Sequence, residues 1–112
     1  MKTRLILLLA LGALLSPSLS SANPAEELWM KHCKKCHGPG GKGDTPMGKK
    51  FGARDLSDPA VQAEFSDEAI RDVIINGKKD DSGRLLMLAF GNKLSGEQVD
   101  SLVAYCRSLQ QE

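Results

Sequence analysis

Cys33-Lys34-Lys35-Cys36-His37 is the stretch that decides what this chain folds around. Read as helix, residues three and four apart share a face, so both thiols and the His37 imidazole point the same way. Two sulfurs so placed can bond two substituents of one flat ring, while the nitrogen reaches a metal at its centre. The spacing is the haem-attachment signature. Two other uses of paired cysteines compete with it. A thioredoxin-like redox pair follows a strand in a βαβ unit, and no such pattern is present. A zinc site needs four ligands, and Cys33, Cys36, Cys106, His32 and His37 lack a second paired cluster at zinc-like spacing.

Upstream, the N-terminus reads as an address. Lys2 and Arg4 precede an uncharged apolar run over residues 5–15, and the small-residue stretch Ser16-Pro17-Ser18-Leu19-Ser20-Ser21-Ala22 follows. This is the anatomy of a secretory signal peptide, residues 1–22, with cleavage expected after Ala22. The apolar run falls well short of the roughly 20 residues needed to cross a bilayer. No cysteine near the cleavage point suggests a lipid anchor, and no later stretch is apolar enough to span a membrane. A protein exported to the periplasm, without a membrane anchor, is expected, and haem is attached to such proteins after export.

Residues 23–112 then form one domain. A chain this short buries only about 60% of its unfolded surface, so a disulfide framework, metal or cofactor usually completes its core. Three cysteines cannot all pair, and two stand three residues apart, which favours the cofactor.

The coarse order is helix, long loop, short helix, helix, loop, helix, with no internal repeat and nothing that reads as a strand. Residues 25–37 are good helix formers with Leu28 and Trp29 on one side. Residues 38–55 are glycine-rich, carry Pro39 and Pro46, and read as loop. Asp58-Pro59 is an N-cap followed by proline at the first helical position, starting a short helix to about Phe65. Ser66 opens the next helix, where Ile70, Val73 and Ile74 have helical spacing and Asn76-Gly77 ends it. Ser95 and Gln98 form a capping box for the last helix, whose stripe is Val99, Leu102, Val103, Cys106 and Leu109. The expected fold class is all-α, three to five helices wrapped around one covalently bound haem.

A second axial ligand is less directly legible. His32 and Met30 lie on the same helix as His37 and cannot reach across a ring. Met47 follows His37 by ten residues in the glycine-rich loop and is expected on the histidine side. Met87 lies fifty residues on, between two helices, far enough for the chain to wrap a ring edge. Spacing favours it as a thioether ligand, which raises the reduction potential; the competing role is core filling.

Charge is segregated along the chain. Without Lys2 and Arg4, the 15 basic and 14 acidic residues leave the domain near neutral. Residues 31–54 nevertheless carry Lys31, Lys34, Lys35, Lys42, Lys49, Lys50 and Arg54 against Asp44 alone, and residues 55–81 are mainly acidic. Such a division either orients the molecule toward charged partners or reflects ordinary solvated faces. Nucleic-acid binding is not expected, since the chain is not basic overall and few aromatics accompany its lysines.

Several segments together resemble a known family. They are Leu28-Trp29, Cys33-Lys34-Lys35-Cys36-His37-Gly38, Met87-Leu88-Ala89-Phe90-Gly91-Asn92-Lys93-Leu94-Ser95 and Leu102-Val103-Ala104-Tyr105-Cys106-Arg107-Ser108-Leu109. Over residues 25–109 the chain is similar to the class I c-type cytochromes, small monohaem proteins. The resemblance implies one haem c joined through Cys33 and Cys36, with His37 and Met87 as the two iron ligands. It also implies that the first and last helices cross near Trp29 and Tyr105, and that a loop proline carbonyl, Pro46 here, accepts the axial histidine's N–H. Three departures stand out: Leu88 where proline is usual, Ala25 where glycine is common, and Cys106 in place of an aliphatic residue, read as a buried small hydrophobe rather than a third attachment point.

With both axial positions filled, the expected role is electron carriage rather than catalysis. An apolar shell of Leu28, Trp29, Ile70, Ile74, Leu86, Phe90, Leu102 and Tyr105 would exclude water and favour the reduced site. Expected partners are redox proteins met transiently: a membrane oxidase or reductase, or a periplasmic dehydrogenase. The carrier itself is expected as a monomer. A haem enzyme or gas sensor with a labile sixth ligand, and a subunit serving one permanent complex, are the alternatives.

Overall fold

In a computed structural model, which describes residues 23–111 together with Gly12, the chain begins with the Asn23 side chain accepting from Ala25 N at 3.1 Å. The expected leader, residues 1–22, otherwise lies outside the described residues. Pro24 takes the first helical position of α1 (Pro24–Leu28), where its missing N–H costs nothing. A π-helical turn follows over Trp29–Cys33, closed by Lys34 N bonding to Trp29 O, and α2 (Lys34–His37) completes the run. Residues 25–37 were expected as plain α-helix; the structure widens the turn immediately before the haem motif, a device often found at functional sites.

The glycine-rich stretch also holds more order than its composition suggests. Thr45 caps α3 (Pro46–Phe51) by accepting from Gly48 N at 2.9 Å, Pro46 stands at the first position, and Gly52 closes it. Thr45-Pro46 is a start signal of the kind that marks Asp58-Pro59, but the surrounding glycines mask it. Asp58 then caps α4 (Pro59–Gln62), Ser66 caps α5 (Asp67–Asn76), and the Ser95–Gln98 capping box opens α6 (Gly96–Ser108).

Between α5 and α6 the expected plain loop carries a short antiparallel hairpin, β1 (Lys78–Lys79) and β2 (Leu85–Met87), with Lys78 opposite Met87. Polar residues at the bend make it: Asp80 Oδ1 accepts from Ser82 N, Ser82 Oγ and Arg84 N, at 2.6–2.9 Å, and Asp80 N donates to Arg84 O. A two-residue strand has no room to show alternation, so periodicity could not reveal it. The architecture remains helical, with this hairpin as its only sheet among the described residues.

The core gathers Trp29, Ile70, Ile74, Phe90, Leu94, Val99, Leu102, Val103 and Cys106, all buried. α6 lies against both α1 and α5. Ala25 is buried, and the Trp29 and Tyr105 rings meet at 5.4 Å, so the first and last helices pack together there. Leu28 and Tyr105 flank this core as partly buried neighbours. Leu86 is half-buried, while Leu94, absent from the expected shell, is in the core.

A buried polar clamp secures the other end of α6. Gln62, 3% exposed, donates through Nε2 to Leu56 O (2.7 Å) and Cys106 O (2.9 Å). Its Oε1 accepts from Arg107, which also donates to Gln62 O, to Phe65 O and to Asp67 Oδ1. Every polar atom of the Gln62 amide head finds use, and the guanidinium bonds two elements at once.

Two substitutions test these contacts. Gln62→Leu leaves two carbonyls and Arg107 short of partners, and should lower the unfolding free energy by about 1–3 kcal/mol in denaturant titration of the haem-loaded protein. Gly48→Ala should cost a comparable amount, about 1–3 kcal/mol, because its Cβ would overlap Cys36 O and push α3 off the motif.

Candidate haem site

Cys33 ends the widened turn, and Cys36 and His37 occupy the single turn of α2 that follows. Their backbone is held from several directions. Trp29 Nε1 donates to Gly38 O at 2.9 Å, fixing the exit of α2. The Thr45 hydroxyl donates to the carbonyls of Lys35 and Cys36, at 2.7 and 2.9 Å, and Gly43 N donates to His37 O. Gly48 lies so close to Cys36 O that only a residue without a side chain fits. The loop after the motif thus serves as a buttress for it.

The donor chemistry is set by burial. Burial lowers the pKa of His37, so the imidazole is neutral near pH 7 with a lone pair to offer. Its Nδ1 is buried and has no hydrogen-bond partner among the described residues. Pro46 was expected to accept that N–H; instead it opens α3, where its carbonyl belongs to the helix's own bonding. The ring lies 5.5 Å from Trp29, which is itself 5.4 Å from Tyr105, so it stands at the end of a row of aromatic side chains.

No disulfide joins any of the three cysteines. Burial pushes the Cys33 thiol up to about 12, with Cys106 and Cys36 adding to the effect, so it is held protonated in apolar surroundings. A thioether, carrying neither charge nor proton, suits those surroundings better than a thiolate. Cys106 sits inside the core, and burial raises its pKa too; it fills space there, as expected. The set of a Cys33 thiol held protonated, Cys36 three residues on, and a neutral imidazole whose buried Nδ1 has no partner among the described residues therefore fits a covalently held haem. A metal bound by protein side chains alone does not fit, since no group of three or more potential ligands is found among the described residues.

Met87 stands apart from this trio, at the end of β2, half-buried against the same core as Cys33. It is gripped on both sides. Gly77 has φ +72°, and a Cβ there would meet Met87 O at 2.5 Å, so the strand crosses directly over it. Beyond Met87, Phe90 N and Gly91 N donate to Ile74 O and Ile75 O at 2.9 and 3.1 Å, tying the chain to the end of α5. The other candidates lie elsewhere. Met30 is 41% exposed, Met47 lies within α3, and His32 packs edge-on against Phe90 with its ring centroid 5.5 Å away. Burial and the positive charges of Lys31 and Lys93 lower the His32 pKa.

Sequence reasoning missed Trp29, Thr45 and Gly48 as supports of the motif. Only Thr45 carried a signal, its place before Pro46; the other two act through contacts that folding creates.

Comparison with known proteins agrees with this geometry. The family described as cytochrome C oxidase, cbb3-type, subunit III matches residues 20–106. Among solved structures, the KustC0563 c-type cytochrome is 36% identical, with a TM-score of 0.69, covering 78% of this chain and 98% of that one. A point mutant of that protein gives 36% identity and a TM-score of 0.67, over 78% of this chain and 99% of the other. No curated protein matches. The chain belongs to the c-type cytochromes, in the family of the cbb3-type subunit III cytochrome domain, whose cofactor is covalently bound haem c.

Proposed function

We propose that this protein is a periplasmic one-electron carrier, with Cys33 and Cys36 joined to a single haem c and His37 and Met87 closing the two axial positions of its iron. The observation that carries the reading is His37, a neutral imidazole whose buried Nδ1 has no partner among the described residues, four residues after a thiol held protonated by its apolar surroundings. Haem c supplies the reversible Fe(II)/Fe(III) couple. The chain's own residues hold and insulate it. Trp29, Phe90, Leu102 and the rest of the apolar core keep water away, which favours the less charged, reduced state. Thr45 and Trp29 fix the motif from behind, so little needs to move when an electron arrives or leaves. With both axial positions taken by side chains, nothing is left open for a substrate, and no catalytic role is assigned.

Export is supported by the leader-like residues 1–22 and by the need to attach haem outside the cytoplasm. Among the described residues no helix is long and apolar enough to cross a membrane. Partners are proposed to be redox proteins that dock briefly on the basic segment around the motif. Lys31, Lys34, Lys35, Lys42, Lys49 and Lys50 are all exposed, and among the described residues none of them is in an ion pair. An acidic surface on a membrane oxidase or reductase, or on a dehydrogenase, would meet them, and such contacts steer encounter more than they tighten binding.

Two measurements test these statements. The oxidised protein should show a sulfur–iron charge-transfer band, and Met87→Ala should abolish it and let the reduced protein bind carbon monoxide, which the parent resists. An unaltered band in that variant would assign the position to another residue. Oxidation of the reduced protein by an anionic metal complex should slow several-fold between about 10 and 200 mM salt, whereas a cationic complex should not show that decline. Equal salt dependence for the two complexes would remove the basic docking surface.

A further inference from the structure

One loop follows the haem motif and another carries Met87, and each is firmly tied to its own part of the molecule. Residues 38–55 are fastened to the motif through Thr45 and Gly48, and α3 ends at Phe51. Residues 77–88 form the hairpin that presents Met87, and Asp80 clips the backbone of Arg84 at both its N–H and its carbonyl. Among the described residues no hydrogen bond or ion pair joins the first loop to the second. One contact does bridge them: the guanidinium of Arg84 lies 5.4 Å from the centroid of the Phe51 ring. Lys50 also lies over that ring, at 5.5 Å, but from the same helix, so it spans nothing. Arg84 precedes Met87 by three residues, and Leu88 on the far side is 55% exposed and holds little.

We propose that Arg84, seated over Phe51, is a positioning residue for Met87. By linking the hairpin to the buttress behind Cys36, it limits how far the strand can swing and so how readily the Met87 sulfur leaves the iron. The proposal rests on Met87 being the second axial ligand. An arginine on an aromatic face at an exposed site is a modest link, sufficient to change the equilibrium for methionine displacement by about two- to fivefold.

Imidazole, added to the oxidised haem-loaded protein, competes with Met87 and is read by loss of the sulfur–iron band. Arg84→Gln and Phe51→Leu should each reach half-displacement at about two- to fivefold lower imidazole. Arg84→Lys and Phe51→Tyr, which keep the cation and the ring, should titrate like the parent, and the double variant Arg84→Gln with Phe51→Leu should be no weaker than either single one. Phe51→Leu preserves every charge, so its effect cannot come from the haem's electrostatic surroundings. Unchanged imidazole titrations, effects that add in the double variant, or a lower unfolding midpoint without easier displacement would each overturn the proposal. A parent protein whose band survives Met87→Ala would instead overturn the ligand assignment on which it stands.

Discussion

A half-buried imidazole whose Nδ1 is sealed from water and has no partner among the described residues is the constraint around which the rest of this structure is arranged. A polar atom removed from water costs free energy unless something meets it, and among the described residues nothing meets His37 Nδ1. The surroundings add to that demand, because the neighbouring Cys33 thiol is kept protonated by the same apolar packing. The fold therefore makes sense as one whose last core element is not amino acid. A chain of this size gains from such an element, since a small core buries a smaller share of its surface than a large one.

The supports are consistent with that view. Trp29, Thr45, Gly43 and Gly48 all bind or crowd the backbone of residues 35–38, so the motif is held by main-chain carbonyls rather than by the side chains that do its chemistry. The side chains stay free to face the cofactor. The widened turn ends at Cys33, directly before the single helical turn that carries Cys36 and His37. The hairpin and the Phe90 and Gly91 bonds to α5 bracket Met87 with backbone contacts too. Rigidity around His37 and Met87 suits the proposed electron carrier, since every atom that moves with the charge adds to the barrier.

Away from this centre, the Gln62–Arg107 clamp shows how the remaining polar burial is managed. Four backbone carbonyls and one carboxylate are gathered on the side chains of Gln62 and Arg107, which also bond to each other, and the end of α6 is thereby locked to the segment that follows the glycine-rich loop. The basic residues of the motif region remain on the surface, where a charged partner can find them.

Much of this was legible in the sequence by itself. Cys33-Lys34-Lys35-Cys36-His37 determined the cofactor, because covalent chemistry at a fixed spacing needs no long-range information. The helix boundaries at Asp58-Pro59, Ser66 and Ser95 were equally local, being set by side chains that cap their own backbone. The stripe on α6, Cys106 included, followed from helical period. Only the tertiary structure decided the rest: the widened turn before Cys33, the packing of Gly48 on Cys36 O, the indole bond to Gly38, the hairpin that carries Met87, and the seat of Arg84 on Phe51. The Gly48, indole and Arg84 contacts depend on separate segments coming within a few ångströms, while the widened turn and the hairpin, though closed locally, are too short for a periodic pattern to reveal.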